Sequence, residues 1–317
     1  MAPGPAQPRI SVLVCTYNPR MYLLDWTIRS LEKQTLRADD FEVIVVDNNS
    51  SPPLLQNQSL ARFRLNLRVV CESRQGLTHA RCAAIRASRA DLLVFVDDDN
   101  CLDADYLEVA LRIARQEASV GHFGGIVNAV LGGPVAFWQE EFLPHLGVRD
   151  HGSQPITAVA GNWGNWVPIG AGMVCRRRVA EEFVQFVEST AEARGLGHSG
   201  SGLMSGEDTL FAHAAYRLGF ACSYQPDLRL THFIRMERLR FRPLARLLLG
   251  HGRSYVVVEA VTGTRVDRYS LMGTVVRLMY RLLMHWKNRG CRVGTIRWFW
   301  DVGVLLHARR FDQPPKP

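Results

Sequence analysis

No stretch of the chain reaches the roughly 18 uninterrupted apolar residues that a membrane-crossing helix needs, so no such span is expected. The start, MAPGPAQPRI, has neither a basic segment nor an apolar one, and no secretory signal is expected there. Cysteine is scarce and scattered: seven, at 15, 71, 82, 101, 175, 222 and 291, with no CxxC pair. An odd, dispersed set disfavours a disulfide framework or a zinc site and fits a reducing cytoplasm, either free or at the inner face of the cell membrane. Internal repeats and low-complexity tracts are lacking. So is any recognisable nucleic-acid module, and no nucleic-acid partner is expected.

What remains is an ordinary globular composition, 47% hydrophobic and 21% charged over 317 residues, enough for a substantial core and one or two domains. The net charge of +8 is unevenly spread. Residues 233–317 carry 17 Lys and Arg against 5 Asp and Glu, a net of +12, whereas residues 1–232 carry 21 against 25, a net of −4. The basic character therefore belongs to the tail and points to an anionic surface there.

The first hundred residues alternate between two periodicities. ISVLVC (10–15), EVIVV (42–46), LRVV (67–70) and LLVFV (92–96) are short, β-branched and continuously apolar, as strands buried on both faces should be. Helical stretches fall at about 20–33 and 77–89. This order predicts an α/β protein with a mainly parallel sheet flanked by helices. Ligands bind such sheets beyond the carboxyl ends of the strands, and there the polar residues sit: TYN (16–18), DNNS (47–50) and DDDN (97–100). Further on, 103–117 reads as a helix, 121–131 as a strand, 160–178 as a long Gly- and Trp-bearing loop, 207–219 as a helix, and everything after 237 as helical.

Three consecutive carboxylates ending a core strand repel one another and resist desolvation. A solvated turn or a helix cap would account for acids at a surface. At the end of a buried strand, a divalent cation with a bound diphosphate supplies the missing charge; Mg²⁺ or Mn²⁺ takes one or two carboxylates plus phosphate oxygens. In order along residues 9–235 stand VCTYN, VVDNNS, RQGLTHARCAAI, FVDDDN, GAGMVCRR, GEDTLFAHAAYRLG and LTHFIR. Through these motifs the chain resembles the family-2 glycosyltransferases, which have the GT-A fold.

The resemblance implies a sugar transfer from a nucleotide diphosphate donor, UDP- or GDP-linked, to a hydroxyl of a glycan or lipid-linked acceptor, with inversion. It implies a catalytic domain over 1–236, with a nucleotide-binding half (1–102) and an acceptor-binding half (103–236), followed by the basic helical region 237–317. Thr16 and Tyr17 would line the base pocket, Asp47 would accept from the base edge, and Arg74, Gly76 and Arg81 would contact the nucleotide. Asp97 or Asp98 would reach the ribose, Asp99 would hold the metal, and His232 would complete the metal site or meet the diphosphate. Asp208 would be the general base, with Glu207 as its substitute. Direct displacement needs no enzyme nucleophile, so the lack of a recognisable Ser/His/Asp set is in keeping.

Plainer readings stand beside these. Tyr17 and Asn18 suit a turn after a strand, and Asp47 suits a turn cap. Arg81 suits a surface arginine, and His232 suits a satisfied, half-buried histidine. Ser205 and Asp208 have capping-box spacing, with Leu210, Phe211, Ala214 and Leu218 as the helix face. Gly170, Ala171 and Gly172 allow close backbone approach to a sugar or acceptor, or simply a tight turn. Trp163 and Trp166 suit sugar stacking or core packing equally. The tail, with Arg277, Arg281, Trp298 and Trp300, reads as a packed helical subdomain, a dimer interface or a membrane-surface element. A non-catalytic nucleotide-sugar-binding scaffold would share every donor residue. A nucleotidyltransferase would need a Gly-rich, basic phosphate loop after the first strand, and TYNPR is not one.

Overall fold

The computed structural model describes residues 7–56, 58–160, 164–197, 204–263 and 270–308. In chain order the elements are β1 (Ile10–Thr16), α1 (Met21–Glu32), β2 (Phe41–Asp47), β3 (Leu67–Cys71), α2 (Leu77–Ala87), β4 (Leu92–Asp97), β5 (Asn100–Leu102), α3 (Tyr106–Gln116) and β6 (Val120–Leu131). There follow α4 (Phe137–Glu140), β7 (Ile156–Ala158), β8 (Val174–Arg176), α5 (Arg177–Ser189), α6 (Ala191–Arg194), α7 (Glu207–Arg217), β9 (Ala221–Ile234), α8 (Phe241–Val261) and α9 (Leu271–Ala308).

Among the described residues one sheet runs β3-β2-β1-β4-β8-β6-β9-β5, with β7 on β9. The expected parallel core is its first four strands. From β8 onward the pairs turn antiparallel. The parallel strands are apolar throughout because helices cover both faces: β1, β2 and β4 bury nearly every residue. α1 buries Leu23, Leu24, Thr27, Ile28 and Leu31, the spacing of one helical face. Glu42, fully buried in β2, ties three elements together. It accepts from Ser11 Oγ (2.7 Å), Arg68 (2.6 Å) and the Arg89 amide (2.7 Å). Burial pushes its proton affinity up, but these hydrogen bonds outweigh it and leave the pKa below the ordinary value.

The chain divides into two compact units, Met1–Val130 with Gly147–Ser189 and Asp208–Ile234, and Leu131–Leu146 with Thr190–Glu207 and Arg235–Pro317. The second unit centres on α8 and α9. α9 breaks at Gly290, whose φ of 76° lies in the left-handed region. Its two arms fold back on one another: Trp298 Nε1 donates to Leu278 O (2.8 Å), Trp286 Nε1 to Thr295 Oγ1 (2.9 Å), and His285 meets Asp301 (2.8 Å). The second arm lies against α8 through bare backbone, since a Cβ on Gly252 would strike Trp300 O and one on Gly303 would strike Leu249 O. Glu141 clasps Arg289 and Arg297 in the same unit.

Candidate active site

Register alone brings three strand ends together: Thr16 pairs with Asp47, and Cys15 with Asp97. The Thr16 hydroxyl, itself buried, donates to the Asp98 carboxylate. The loops after β1 and β2 are clipped to each other, Asn18 N donating to Ser50 Oγ (2.8 Å) and Ser51 N to Asn18 Oδ1 (2.8 Å). Asn18 and Asn49 both take positive φ, 47° and 66°, which asparagine tolerates. Tyr17 projects outward, 43% exposed, at the rim.

Asp47 is 2% exposed, and its two oxygens accept from Ser50 N (3.0 Å) and Leu54 N (2.7 Å). Such a carboxylate caps its own loop. Next to it Asn48, absent from the sequence-derived site, clamps the following segment. Its amide donates to Glu72 O (3.1 Å) and Arg74 O (2.8 Å) and accepts from Gly76 N (2.7 Å). Gly76 takes a φ of 137° as it opens α2. Arg74 is exposed and paired with Glu72 (2.9 Å), so it stands at the mouth rather than the floor.

Arg81 is not a surface arginine: it is 2% exposed, with its guanidinium 5.7 Å above the Phe95 ring. Its charge acts on Asp97, supplying a fixed cation beneath the acid run. The acids remain in excess. Burial, then Asp99, push the Asp97 carboxyl up despite Arg81. Asp98 rises to about 7, driven by burial and opposed by the Thr16 hydrogen bond.

Asp99 and His232 meet across the antiparallel pair β5–β9, where Asn100 lies opposite His232. Their Oδ1 and Nε2 are 3.5 Å apart, and Asn100 Nδ2 donates to the same Oδ1 (3.0 Å). His232 is 5% exposed and its Nδ1 has no hydrogen-bond partner. Among the described residues no group of three or more His, Cys, Asp or Glu is spaced as a ready-made cation cage. A carboxylate facing an imidazole beside further carboxylates of raised proton affinity nevertheless fits a hard divalent cation that fills its remaining positions from phosphate and water.

Asp208, the second residue of α7, points toward the same region. Its Oδ2 accepts from Gly170 N (3.3 Å) and its Oδ1 from Thr209 N (2.8 Å). Gly170 joins the two halves of the site, because a Cβ there would fall on the Arg81 guanidinium. Ala171 is buried, and the Gly172 carbonyl accepts from the Tyr106 hydroxyl. Glu207 is 4% exposed. Trp166 is half-buried, and Trp163 lies outside the described residues.

Two residues that the sequence reading passed over also lie within the electrostatic reach of Asp208. His122 in β6 is fully buried with its ring stacked over Phe211, and burial pulls its pKa down to about 4 against the pull of Asp208. Arg149, bridged by backbone to Val127, also feels the Asp208 carboxylate.

The chain is similar to known glycosyltransferases. EpsH of Bacillus subtilis (strain 168) is 32% identical over 116 residues, 36% of this chain and 32% of that protein. Poly(ribitol-phosphate) beta-N-acetylglucosaminyltransferase TarS of Staphylococcus aureus (strain Mu50) is 33% identical over 113 residues, 35% of this chain and 20% of TarS. The match thus spans about a third or less of these curated relatives. Crystallised S. aureus TarS 1–349 with UDP-GlcNAc superposes at a TM-score of 0.51 with 17% identity, covering 97% of this chain and 93% of that one. GalNAc-T7 with UDP, GalNAc and Mn²⁺ gives 0.56 at 13% identity, covering 94% and 55%. These likenesses show the GT-A fold. The model of glycosyl transferase family 2 matches residues 11–184, more than half of the chain, and the chain belongs to that family.

Proposed function

We propose that the protein transfers a sugar from a nucleoside-diphosphate donor to a hydroxyl of a glycan or lipid-linked acceptor, with inversion at the anomeric carbon. The observation that carries this reading is the joining, through Gly170, of a carboxylate held by two backbone amides to an acid run at the ends of the parallel strands.

The donor residues fall in 1–102 and the acceptor residues in 103–236, with 237–317 as an appended basic region. Tyr17 at the rim and Thr16 below it bound the base pocket, and Asp47 and Asn48 fix the loops around it. Asp97 or Asp98 holds the ribose. Arg74 and the Gly76 backbone face the nucleotide, with Arg81 setting the charge beneath. Asp99 and His232 would hold Mg²⁺ or Mn²⁺, which as a Lewis acid offsets the charge of a departing diphosphate. Uracil is the first base to try, since crystallised TarS carries UDP-GlcNAc.

In the chemical step the acceptor oxygen bonds to the anomeric carbon as that carbon's bond to the diphosphate oxygen breaks. The acceptor proton passes to Asp208, and the nucleoside diphosphate leaves. The Gly170 and Thr209 amides orient the Asp208 carboxylate while leaving it lone pairs for that proton. One in-line displacement inverts the centre.

Asp208→Asn tests the reading. Donor binding, measured by calorimetry with UDP-GlcNAc or whichever nucleotide sugar a thermal-shift screen with Mn²⁺ selects, should stay within about twofold. Release of nucleoside diphosphate should fall by a factor of about 10² to 10⁴. Equal loss of binding and turnover refutes the base assignment. A wild-type protein that binds donor yet releases no diphosphate with any acceptor is a scaffold.

A further inference from the structure

We infer, on the reading of Asp208 as the base, that His122 is its positioning residue and accepts the hydrogen bond of the Asp208 carboxyl once that group has taken a proton. His122 stands in β6 with no exposed surface, its ring stacked on that of Phe211 at 6.2 Å and 20°. Phe211 follows Asp208 by three residues on α7, so the imidazole lies beside the turn that carries the base. The loop that holds Asp208 through the Gly170 amide passes the same ring: the Pro168 carbonyl acts on the imidazole, as do the Val174 carbonyl and the Asp208 charge.

Two carbonyls cannot serve both ring nitrogens. Neither makes a hydrogen bond of ordinary geometry to the imidazole. Were one to close in, it could only accept, and a neutral imidazole has a single N–H to give. The other nitrogen presents a lone pair, and among the described residues no group donates to it. Burial keeps the ring neutral at ordinary pH, so that lone pair is retained. Phenylalanine or leucine would fill this core position with no polar atom left unanswered, whereas a buried acceptor without a donor costs stability. A donor arises during turnover. The ionised Asp208 carboxylate has no proton to give, but the protonated carboxyl is an O–H donor. A hydrogen bond from it to the imidazole stabilises the protonated form, leaves the proton on Asp208, and so helps that carboxylate draw the proton from the acceptor hydroxyl.

His122→Phe tests this, because it keeps the stack on Phe211 and removes both nitrogens. Its urea midpoint should equal or exceed that of the wild type. Calorimetry with Mn²⁺ and UDP-GlcNAc, or the nucleotide sugar that the thermal-shift screen selects, should give a Kd within about twofold of wild type. Turnover, read as nucleoside diphosphate released with water as acceptor, should fall about tenfold in kcat, the effect of one hydrogen bond. His122→Gln supplies an amide oxygen that can accept instead, and should recover kcat to within about threefold of wild type. In an Asp208→Asn background the Phe substitution should change the residual turnover by less than about twofold, since no proton is then taken. A Phe variant with wild-type kcat overturns the inference, as does a loss of donor binding that matches the loss of kcat. So does a Gln variant as slow as Phe, or the same tenfold fall in the Asp208→Asn background. Wild-type turnover by Asp208→Asn itself defeats the base reading, whereas a slow Asp208→Asn beside an unimpaired His122→Phe defeats the role of His122 alone.

Discussion

Gly170→Ala should destabilise the protein, and only while Arg81 is present. The alanine methyl would fall on a guanidinium nitrogen of a side chain that is 2% exposed and roofed by the Phe95 ring. Overpacking of a filled site costs about 1–3 kcal/mol. Arg81→Ala alone removes the cation beside Asp97 and leaves a void, at about 3 kcal/mol. In the double variant the methyl enters the vacated space, so the two losses should fall short of their sum by about 2 kcal/mol. Urea unfolding of the four proteins reads this directly, since 2 kcal/mol corresponds to a midpoint shift of about 1 M. Losses that add to within about 0.5 kcal/mol refute the claim that Gly170 exists to admit Arg81.

Two further perturbations read the site's scaffolding. His122 is held neutral by burial, its pKa at about 4 against an ordinary 6.5, so on acidification the unfolded chain binds the proton first. Stability from this group is therefore whole above pH 6.5 and is lost as pH falls toward 4, to the extent of about 3 kcal/mol. Asp98, raised to about 7, slopes the other way, losing stability as pH climbs from 3.8, so the His122 effect is read as the difference between wild type and His122→Gln. Parallel unfolding curves for the two from pH 7 to 4 would remove the argument. Asn48→Ala deletes three hydrogen bonds from a nearly buried side chain and should cost about 2–4 kcal/mol, with faster hydrogen exchange at the Gly76 amide. Unchanged exchange at Gly76 would mean that the loop is held by something else.

The parallel half of the sheet was legible because strands buried on both faces have one signature, continuous β-branched apolar residues, and few other elements share it. In the antiparallel half only β6 was legible, expected over 121–131 and found at Val120–Leu131. β9 runs for 14 residues but contains Pro226, which argues against a strand, and its first half is buried on both sides, so no alternation shows. Period two does emerge from Asp227 to Ile234 and could have been read there. α5 carries Val179, Ala180, Phe183, Val184 and Val187 at helical spacing, hidden only by its position after a glycine-rich loop. In the site, sequence located the acid run but not what lies beneath it. Arg81 could be surface or floor; the deciding signal was the small side chains around it, Thr78, Ala80, Cys82 and Ala84, which leave room for a long one to lie buried. Asp47 could read a base or cap a turn, and the structure shows its two oxygens engaged by the turn. His122 offered no signal, because a lone histidine in a strand buried on both faces has no phase to betray it.

The acid run raises a question of arithmetic that the fold answers only in part. Arg81 brings one positive charge to three carboxylates, and it is buried and fixed, so it cannot follow a charge that moves. Burial raises the proton affinity of Asp97 and lifts Asp98 to about 7, so a proton on Asp98 makes up some of the deficit. A second arginine would have narrowed the gap permanently and left less for an incoming ligand to do. The remaining negative charge lies instead on the side where the Asp99 carboxylate faces the His232 ring, 3.5 Å away. A permanently incomplete electrostatic balance at a strand end is costly to a fold that serves no ligand, and it is the balance that the proposed diphosphate donor and its cation would complete.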